Sequence, residues 1–242
     1  MAFLDGRSIV GKTFLDIGCG SGLFSLAAHR LGAARVLSID VDPDSVRSSL
    51  CLREREGNPP GWEVRPGSIL DPELVRSLGR FEIVYSWGVL HHTGRMWEGV
   101  ENAASLVSAG GLLYIAIYNR ADGFAFYDDG RFGPSSLWAV EKRLYSRLPS
   151  LLQDAVDWTA MSLMVLLYLA TLQNPLKKIR SHAKLRGMSW RIDIKDWLGG
   201  WPYEYASVEE VFRFLSRKGF VLRNLKSTNG LRNNEYLFER TP

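Results

Sequence analysis

The stretch TFLDIGCGSG at 13–22, followed by VLSID at 36–40, constrains this chain more than any other. An apolar run ends in Gly18, Gly20 and Gly22, a helix-length segment follows, and a second apolar run closes on Asp40. Strand, glycine turn, helix and acid-terminated strand make the β-α-β unit that binds nucleosides. The glycines let backbone approach a ligand that side chains would exclude, and they are expected to present amide N–H groups at the helix start. Asp40 offers carboxylate oxygens to both hydroxyls of a ribose. The dinucleotide fingerprint requires glycine or alanine three residues after its second glycine, where this chain has Leu23. Asp16, two residues before Gly18, would repel a pyrophosphate and attract a cation. Both features point to a nucleoside with a positive tail rather than to a nicotinamide dinucleotide.

The alternation continues along the chain. Apolar or β-branched runs at 13–17, 35–39, 62–65, 81–86 and 112–117 are interleaved with helical segments at 22–31, 42–56, 71–78 and 96–107. Asp42 ahead of Pro43 is a helix start, with a capping carboxylate and a first-turn proline. This order predicts an α/β fold, a doubly wound and mostly parallel sheet with helices on both faces. The tail predicts a helix at 207–218, opened by the capping box of Ser207 and Glu210 and ended by Gly219, then strands at 220–226 and 234–240.

Four motifs stand in order over 13–117: the glycine turn with Asp40, GSIL at 67–70, FEIVYSWGVLHH at 81–92, and AGGLLYIAI at 109–117. Together they resemble the motifs of class I S-adenosylmethionine-dependent methyltransferases. The resemblance implies a seven-stranded Rossmann-like sheet and S-adenosyl-L-methionine as cofactor. It implies Asp16, Gly18, Cys19, Gly20 and Gly22 around the methionine portion, Asp40 and Val41 at the ribose, and Ser68 and Ile69 at the adenine. Ser86 and Trp87, at the end of the fourth strand, complete the implied cofactor site. The family often has an acid where Ser68 stands, which leaves Asp71 or backbone for the adenine N6. In the style of its loop the chain resembles the branch that methylates quinone precursors and other small acceptors.

A sulfonium already carries a good leaving group, so a protein of this kind must chiefly align the acceptor atom and exclude water. A phenol, hydroxyl or acidic carbon must also lose a proton, and imidazole is the side chain tuned to take it near neutral pH. His91 and His92 follow the fourth strand at the edge expected to face the methyl group, and they are the candidate catalytic residues. Adjacent residues point different ways, so at most one faces the acceptor. The structural alternative is that both only build the loop. Tyr118 and Asn119, past the fifth strand, are further candidates for acceptor contact.

Residues 118–206 are too many for a connection between neighbouring elements. They read as a subdomain inserted between a cofactor-binding core at 1–117 and a tail at 207–242 that completes the sheet. The insertion holds Trp138, Trp158, Trp190, Trp197 and Trp201, five of the eight tryptophans. An insertion after the fifth strand falls over the sheet edge where open α/β folds bind ligands. It is expected to cap the acceptor, with WRIDIKDWLGGWPYEY at 190–205 as one wall of a flat, apolar pocket. The alternative is that these aromatics only fasten the insertion to the body.

Within it, 158–176 carries no charged residue, and a helix is expected over about 150–173. A membrane span needs ~20 predominantly apolar residues. This run is broken by Thr159, Ser162 and Thr171 and stopped by Gln173, Asn174 and Pro175, so a spanning helix is not expected. A helix apolar on nearly all sides must still be covered, by the insertion itself, by a second subunit or by a lipid surface. Between 141 and 190 eight Lys or Arg stand against three acids, an excess of five in a chain of net charge +4. An apolar helix with a basic flank has the composition of a peripheral membrane contact. A buried dimer or cap helix is the alternative, and nucleic acid is an unlikely partner because no RNA-binding motif accompanies the charge.

With 242 residues, 46% of them hydrophobic, the chain can bury one large core. Two cysteines suggest neither a disulfide framework nor a metal site. No signal-peptide pattern opens MAFLDGRSIVGK, so the cytoplasm is the expected compartment. The function expected from all this is methyl transfer from S-adenosylmethionine to the oxygen or carbon of a small, apolar or aromatic acceptor. A noncatalytic S-adenosylmethionine-binding module is one rival. An NAD-dependent oxidoreductase is the other, and Leu23 and Asp16 count against it.

Overall fold

The computed structural model describes Leu4, 6–121, 133–186 and 189–242, with backbone alone at 183–186. Seven strands are formed: β1 (Thr13–Ile17), β2 (Arg35–Asp40), β3 (Trp62–Pro66), β4 (Phe81–Trp87), β5 (Val107–Tyr118), β6 (Phe220–Lys226) and β7 (Asn233–Arg240). They form one sheet in the order β3-β2-β1-β4-β5-β7-β6. The first five are parallel, and β7 runs antiparallel to both β5 and β6. The sheet is therefore mixed, with its antiparallel part confined to the tail.

Helices α1 (Leu23–Arg30), α2 (Pro43–Arg55), α3 (Pro72–Leu78) and α4 (Met96–Ser105) alternate with the parallel strands, and α9 (Val208–Ser216) precedes β6. Alternate strand residues feed two cores. Leu15, Ile17, Leu37, Ile39 and Phe81 pack with Leu78 of α3, Val100 of α4 and Val211 of α9. Phe14, Val36 and Ile83 pack on the opposite face with Ala28 of α1 and Leu52 of α2. Burial on both faces is why these strands read as continuous apolar runs. Asp42 and Asp71 cap α2 and α3, each accepting two backbone amides, and Ser207 with Glu210 closes the expected capping box of α9. The fifth strand starts earlier than the apolar run at 112–117, so that Gly110 and Gly111 lie within β5, beside a register shift in its pairing with β4.

Between β5 and α9 the described residues form α5 (Pro134–Tyr145), α6 (Ser150–Ala170), α7 (Pro175–Arg186) and α8 (Trp190–Leu198). They share a small core of their own, Tyr145, Met161, Ile194 and Leu198. Of the three covers expected for α6, the insertion itself supplies only a part among these residues. Only Asp157 and Met161 of its 21 residues are buried. Leu151, Leu163, Leu166 and Leu167 are more than half exposed, and Trp158 is 59% exposed. Both acids of α6, Asp154 and Asp157, lie on its packed side, so its outward face is uncharged. Lys177, Lys178 and Arg180 of α7 are exposed, while Lys184 and Arg186 of the predicted basic flank fall outside the described side chains. No helix among the described residues is long and apolar enough to cross a membrane.

Candidate functional site

A cavity of about 260 Å³ opens at the C-terminal edge of β1, β2, β3 and β4. Ile17, Gly18, Ile39, Asp40, Val41 and Ser68 line it, together with Gly67, Ile69, Gly88, Val89, His92 and Thr93. Parallel strands all end on this side, and the crevice at such an edge is where open α/β sheets hold ligands. Of the predicted residues, Gly18, Asp40, Val41, Ser68, Ile69 and His92 come together here. Gly88, Val89 and Thr93 were missed, although the motif at 81–92 contains the first two.

The glycine turn differs from the expected amide cradle. The amides of Gly18 and Cys19 both donate to the carbonyl of Ile39, at 2.8 and 3.1 Å, and that of Gly22 donates to the Cys19 carbonyl at 2.9 Å. The Gly20 amide donates to Asp40 Oδ2 at 2.8 Å. These N–H groups are spent within the protein, which leaves little to bind a pyrophosphate and agrees with a ligand that has none. Two of the glycines are required by close packing as well as by a positive φ. A Cβ on Gly18 would lie 2.3 Å from Val89 Cγ2, and one on Gly22 would lie 2.7 Å from Ser49 Oγ. Ser49 of α2, which the sequence did not single out, donates to the Gly20 carbonyl at 2.9 Å and touches Cys19 Sγ at 3.3 Å. Burial pushes the Cys19 thiol up to about 12, so it is a packing residue.

Asp40 accepts from the amides of Gly20 and Asp42, one on each oxygen. A carboxylate has about four acceptor positions, so two remain for the paired hydroxyls of a ribose. Ile17, Ile39, Val41, Ile69 and Val89 supply apolar walls beside it. A nucleoside therefore fits the residues present. Asp71, offered as a partner for an adenine amino group, is instead engaged as the cap of α3 and does not line the cavity.

Asp16 does not line the cavity. It is 1% exposed and accepts from Ser25 Oγ at 2.5 Å. The chain of contacts continues from Ser25 Oγ to Ser38 Oγ at 2.6 Å and to Trp62 Nε1 at 2.9 Å. The indole can only donate, so protons run from Trp62 to Ser38, to Ser25 and to Asp16. Asp16 thus ties β1 to α1, β2 and β3. Burial pushes its carboxyl up to about 7, reinforced by nearby Asp40. Ser86 is also internal, its hydroxyl donating to the Ile17 carbonyl at 3.1 Å, and Trp87 does not line the cavity.

The two adjacent histidines have opposite tautomers. The Tyr118 amide donates to His91 Nδ1 at 3.2 Å, so Nδ1 is unprotonated and Nε2 carries the proton. His91 is fully buried, its Nε2 has no hydrogen-bond partner among the described residues, and burial holds its imidazole well below the usual histidine range. The expectation that it could serve as a base is corrected: it packs against Tyr118 with ring centroids 4.0 Å apart and belongs to the interior. His92 lines the cavity, and its Nδ1 meets the Pro202 carbonyl at 2.7 Å. A carbonyl only accepts, so here Nδ1 holds the proton and Nε2 keeps its lone pair. Burial lowers the affinity of His92 for a second proton, so the ring is neutral near pH 7.

The insertion touches this site through His92 but adds none of its described residues to the cavity lining. Its aromatics pack mainly among themselves, as with Trp138 and Trp197 at 4.3 Å. Trp201 lies 5.9 Å from the Arg143 guanidinium. Asn119 is held by Gly230 and Asn234 in the tail, which accounts for its burial structurally.

The family model for ribosomal protein L11 methyltransferase (PrmA) matches residues 1–60. The ribosomal protein L11 methyltransferase of Photobacterium profundum is 47% identical over 57 residues, 24% of this chain and 19% of that protein. That of Aeromonas hydrophila is 49% identical over 57 residues, 24% of this chain and 20% of that protein. The chain spans about a fifth of the length of these curated relatives. Two solved structures align over 98% of the chain. Magnesium protoporphyrin IX methyltransferase from Synechocystis with bound S-adenosylhomocysteine has a TM-score of 0.54 at 15% identity, over 77% of that chain. A putative S-adenosylmethionine-dependent methyltransferase from Listeria monocytogenes has a TM-score of 0.56 at 13% identity, over 94% of that chain. Strand order and the alignment over nearly the whole chain agree, and the chain has the fold of S-adenosylmethionine-dependent methyltransferases, with its first sixty residues similar to ribosomal protein L11 methyltransferases.

Proposed function

We propose that this protein transfers a methyl group from S-adenosylmethionine to the oxygen or acidic carbon of a small acceptor. The observation that carries the reading is His92, a neutral imidazole on the cavity wall whose Nδ1 donates to the Pro202 carbonyl, which makes Nε2 the nitrogen that keeps a lone pair. When bound, the cofactor supplies an electrophilic methyl group with a neutral thioether as leaving group. Asp40 then holds the ribose hydroxyls, Ser68 and Ile69 lie along the base, and His92 Nε2 takes the acceptor's proton as the new bond forms. A noncatalytic cofactor-binding module has no use for a base held in one tautomer. The first-quarter likeness to ribosomal protein L11 methyltransferases favours a protein acceptor as a second reading.

Cell extract incubated with radiolabelled S-adenosylmethionine and partitioned into small-molecule, lipid, protein and RNA fractions tests this. Label is expected in the small-molecule or lipid fraction, reduced 10²- to 10⁴-fold by His92→Ala, the usual cost of losing a general base. His91→Ala should not slow turnover in this way. Label in the protein fraction would favour the second reading, and calorimetry showing no binding of S-adenosylhomocysteine would sink both. The uncharged face of α6 beside the exposed cations of α7 further supports peripheral contact with an anionic lipid surface, the source of a lipid-soluble acceptor.

A further inference from the structure

Residues 199–206 are fastened to the turn that carries His92. The Pro202 carbonyl accepts from His92 Nδ1, the Glu204 amide donates to the His91 carbonyl at 2.9 Å, and Glu204 Oε2 accepts the Met96 amide at 2.9 Å. From the opposite side the start of this segment is held by Lys142 of α5. Its Nζ donates to the carbonyls of Trp197 at 2.5 Å and Gly199 at 2.7 Å. It also lies 5.7 Å from the ring centre of Trp138 and 5.5 Å from that of Tyr203. Gly200 threads between the two side chains with φ +63°. A Cβ there would lie 3.1 Å from His92 Cε1 and 3.4 Å from Lys142 Nζ.

Lys142 is fully buried. Removing an ammonium from water is costly, and replacing buried charges by apolar side chains of similar volume is often neutral or stabilising. Stability alone is a weak account of a lysine here. What its ammonium does that a methionine could not is hold two carbonyls at fixed points, immediately before the residue whose carbonyl sets the tautomer of His92.

We propose that Lys142 is a positioning residue for the candidate base: by pinning the Trp197 and Gly199 carbonyls it holds 199–202 in place, so that Pro202 keeps His92 in the Nδ1–H tautomer. The inference rests on the reading of His92 as base. Two charged groups act on His92, Lys142 on α5 and Asp196 on α8, beside the Pro202 and Gly200 carbonyls that favour its protonated form and the neighbouring His91 ring at 4.5 Å. The Lys142 cation and burial lower its affinity for a proton, and Asp196 opposes them. Loss of the cation should therefore raise the midpoint at which His92 titrates.

Protein labelled with 15N-histidine reports both quantities in long-range proton–nitrogen spectra recorded across pH. Wild-type His92 is expected as the Nδ1–H tautomer with a midpoint below the ordinary value near 6.5. Lys142→Met should mix the tautomers, and because loss of the cation and loss of the Pro202 bond move the midpoint in opposite directions, the tautomer is the quantity read on this variant. Lys142→Gln, which keeps a donor without the charge, should hold the tautomer while still raising the midpoint. A wild-type His92 in the Nε2–H tautomer, or a folded Lys142→Met variant with its tautomer unchanged, would overturn the proposal. Should Lys142→Met fail to fold, the wild-type tautomer and the Gln variant decide. Calorimetry with S-adenosylhomocysteine on the same wild-type sample keeps the outcomes distinct. Absence of binding would end the methyltransferase reading, whereas the tautomer and midpoint test Lys142 alone.

Discussion

β1 and α6 are both apolar, five and 21 residues long, and they meet water differently. β1 lies between two parallel neighbours, with Leu15 and Ile17 in one core and Phe14 in the other. α6 rests on the insertion's small core along one stripe and turns Leu163, Leu166 and Leu167 outward. A strand in a doubly wound sheet has its two faces covered by the helices of its own fold. A helix in an insertion has only the surface its neighbours offer, and here that is less than its apolar circumference. The difference separates a region whose composition is explained by folding from one whose composition asks for a further partner.

The widest contrast is in stability. Phe81→Ala removes a fully buried ring from the larger core and should cost about 3–5 kcal/mol in equilibrium urea unfolding. A cost below about 1 kcal/mol would mean that the sheet is packed no more tightly than the insertion.

The next effect is a pH dependence set by burial in the core. The Asp16 carboxyl is pushed up to about 7 in the fold, against 3.8 ordinarily. Between these values the folded protein keeps a proton that the unfolded chain has lost. The stability so contributed is full below the unfolded value and is lost as pH rises through about 7, by ~4 kcal/mol at most. Asp16→Asn keeps an acceptor for Ser25 and removes the titration. Its stability should therefore fall less than wild type between about pH 4 and pH 7. Parallel curves would mean that Asp16 is ionised in the fold and that the chain from Trp62 ends on a carboxylate.

The smallest effect belongs to α6. Leu166→Ala should change stability by no more than about 0.5 kcal/mol, since that side chain is 59% exposed. The same substitution should weaken sedimentation with anionic liposomes, and salt should weaken it further, because exposed charges are screened over ~8 Å at physiological ionic strength. Wild type that stays in the supernatant and elutes as a tight dimer would assign the face to a second copy instead.

Much of this was legible in the chain because it depends on neighbours in sequence. The strand limits at 13–17 and the helix starts at Asp42, Asp71 and Ser207 follow from local apolar periodicity and from side chains that cap amides two or three residues away. The place of Asp40 at the end of β2 follows in the same way. Other features depend on what folding brings together. His91 and His92 are adjacent in sequence. Only Tyr118 and Pro202, 27 and 110 residues away, make one an acceptor within the interior and the other a donor on the cavity wall. Asp16 reads as a charge offered to a ligand until Ser25 and the surrounding core enclose it. The glycine-turn amides read as open donors until Ile39 and Asp40 accept them. Lys142 carries no local sign of its role. Periodicity and capping are short-range and can be read along the chain, whereas burial, tautomer and proton affinity are set by the partners and solvent exclusion that only the assembled fold supplies.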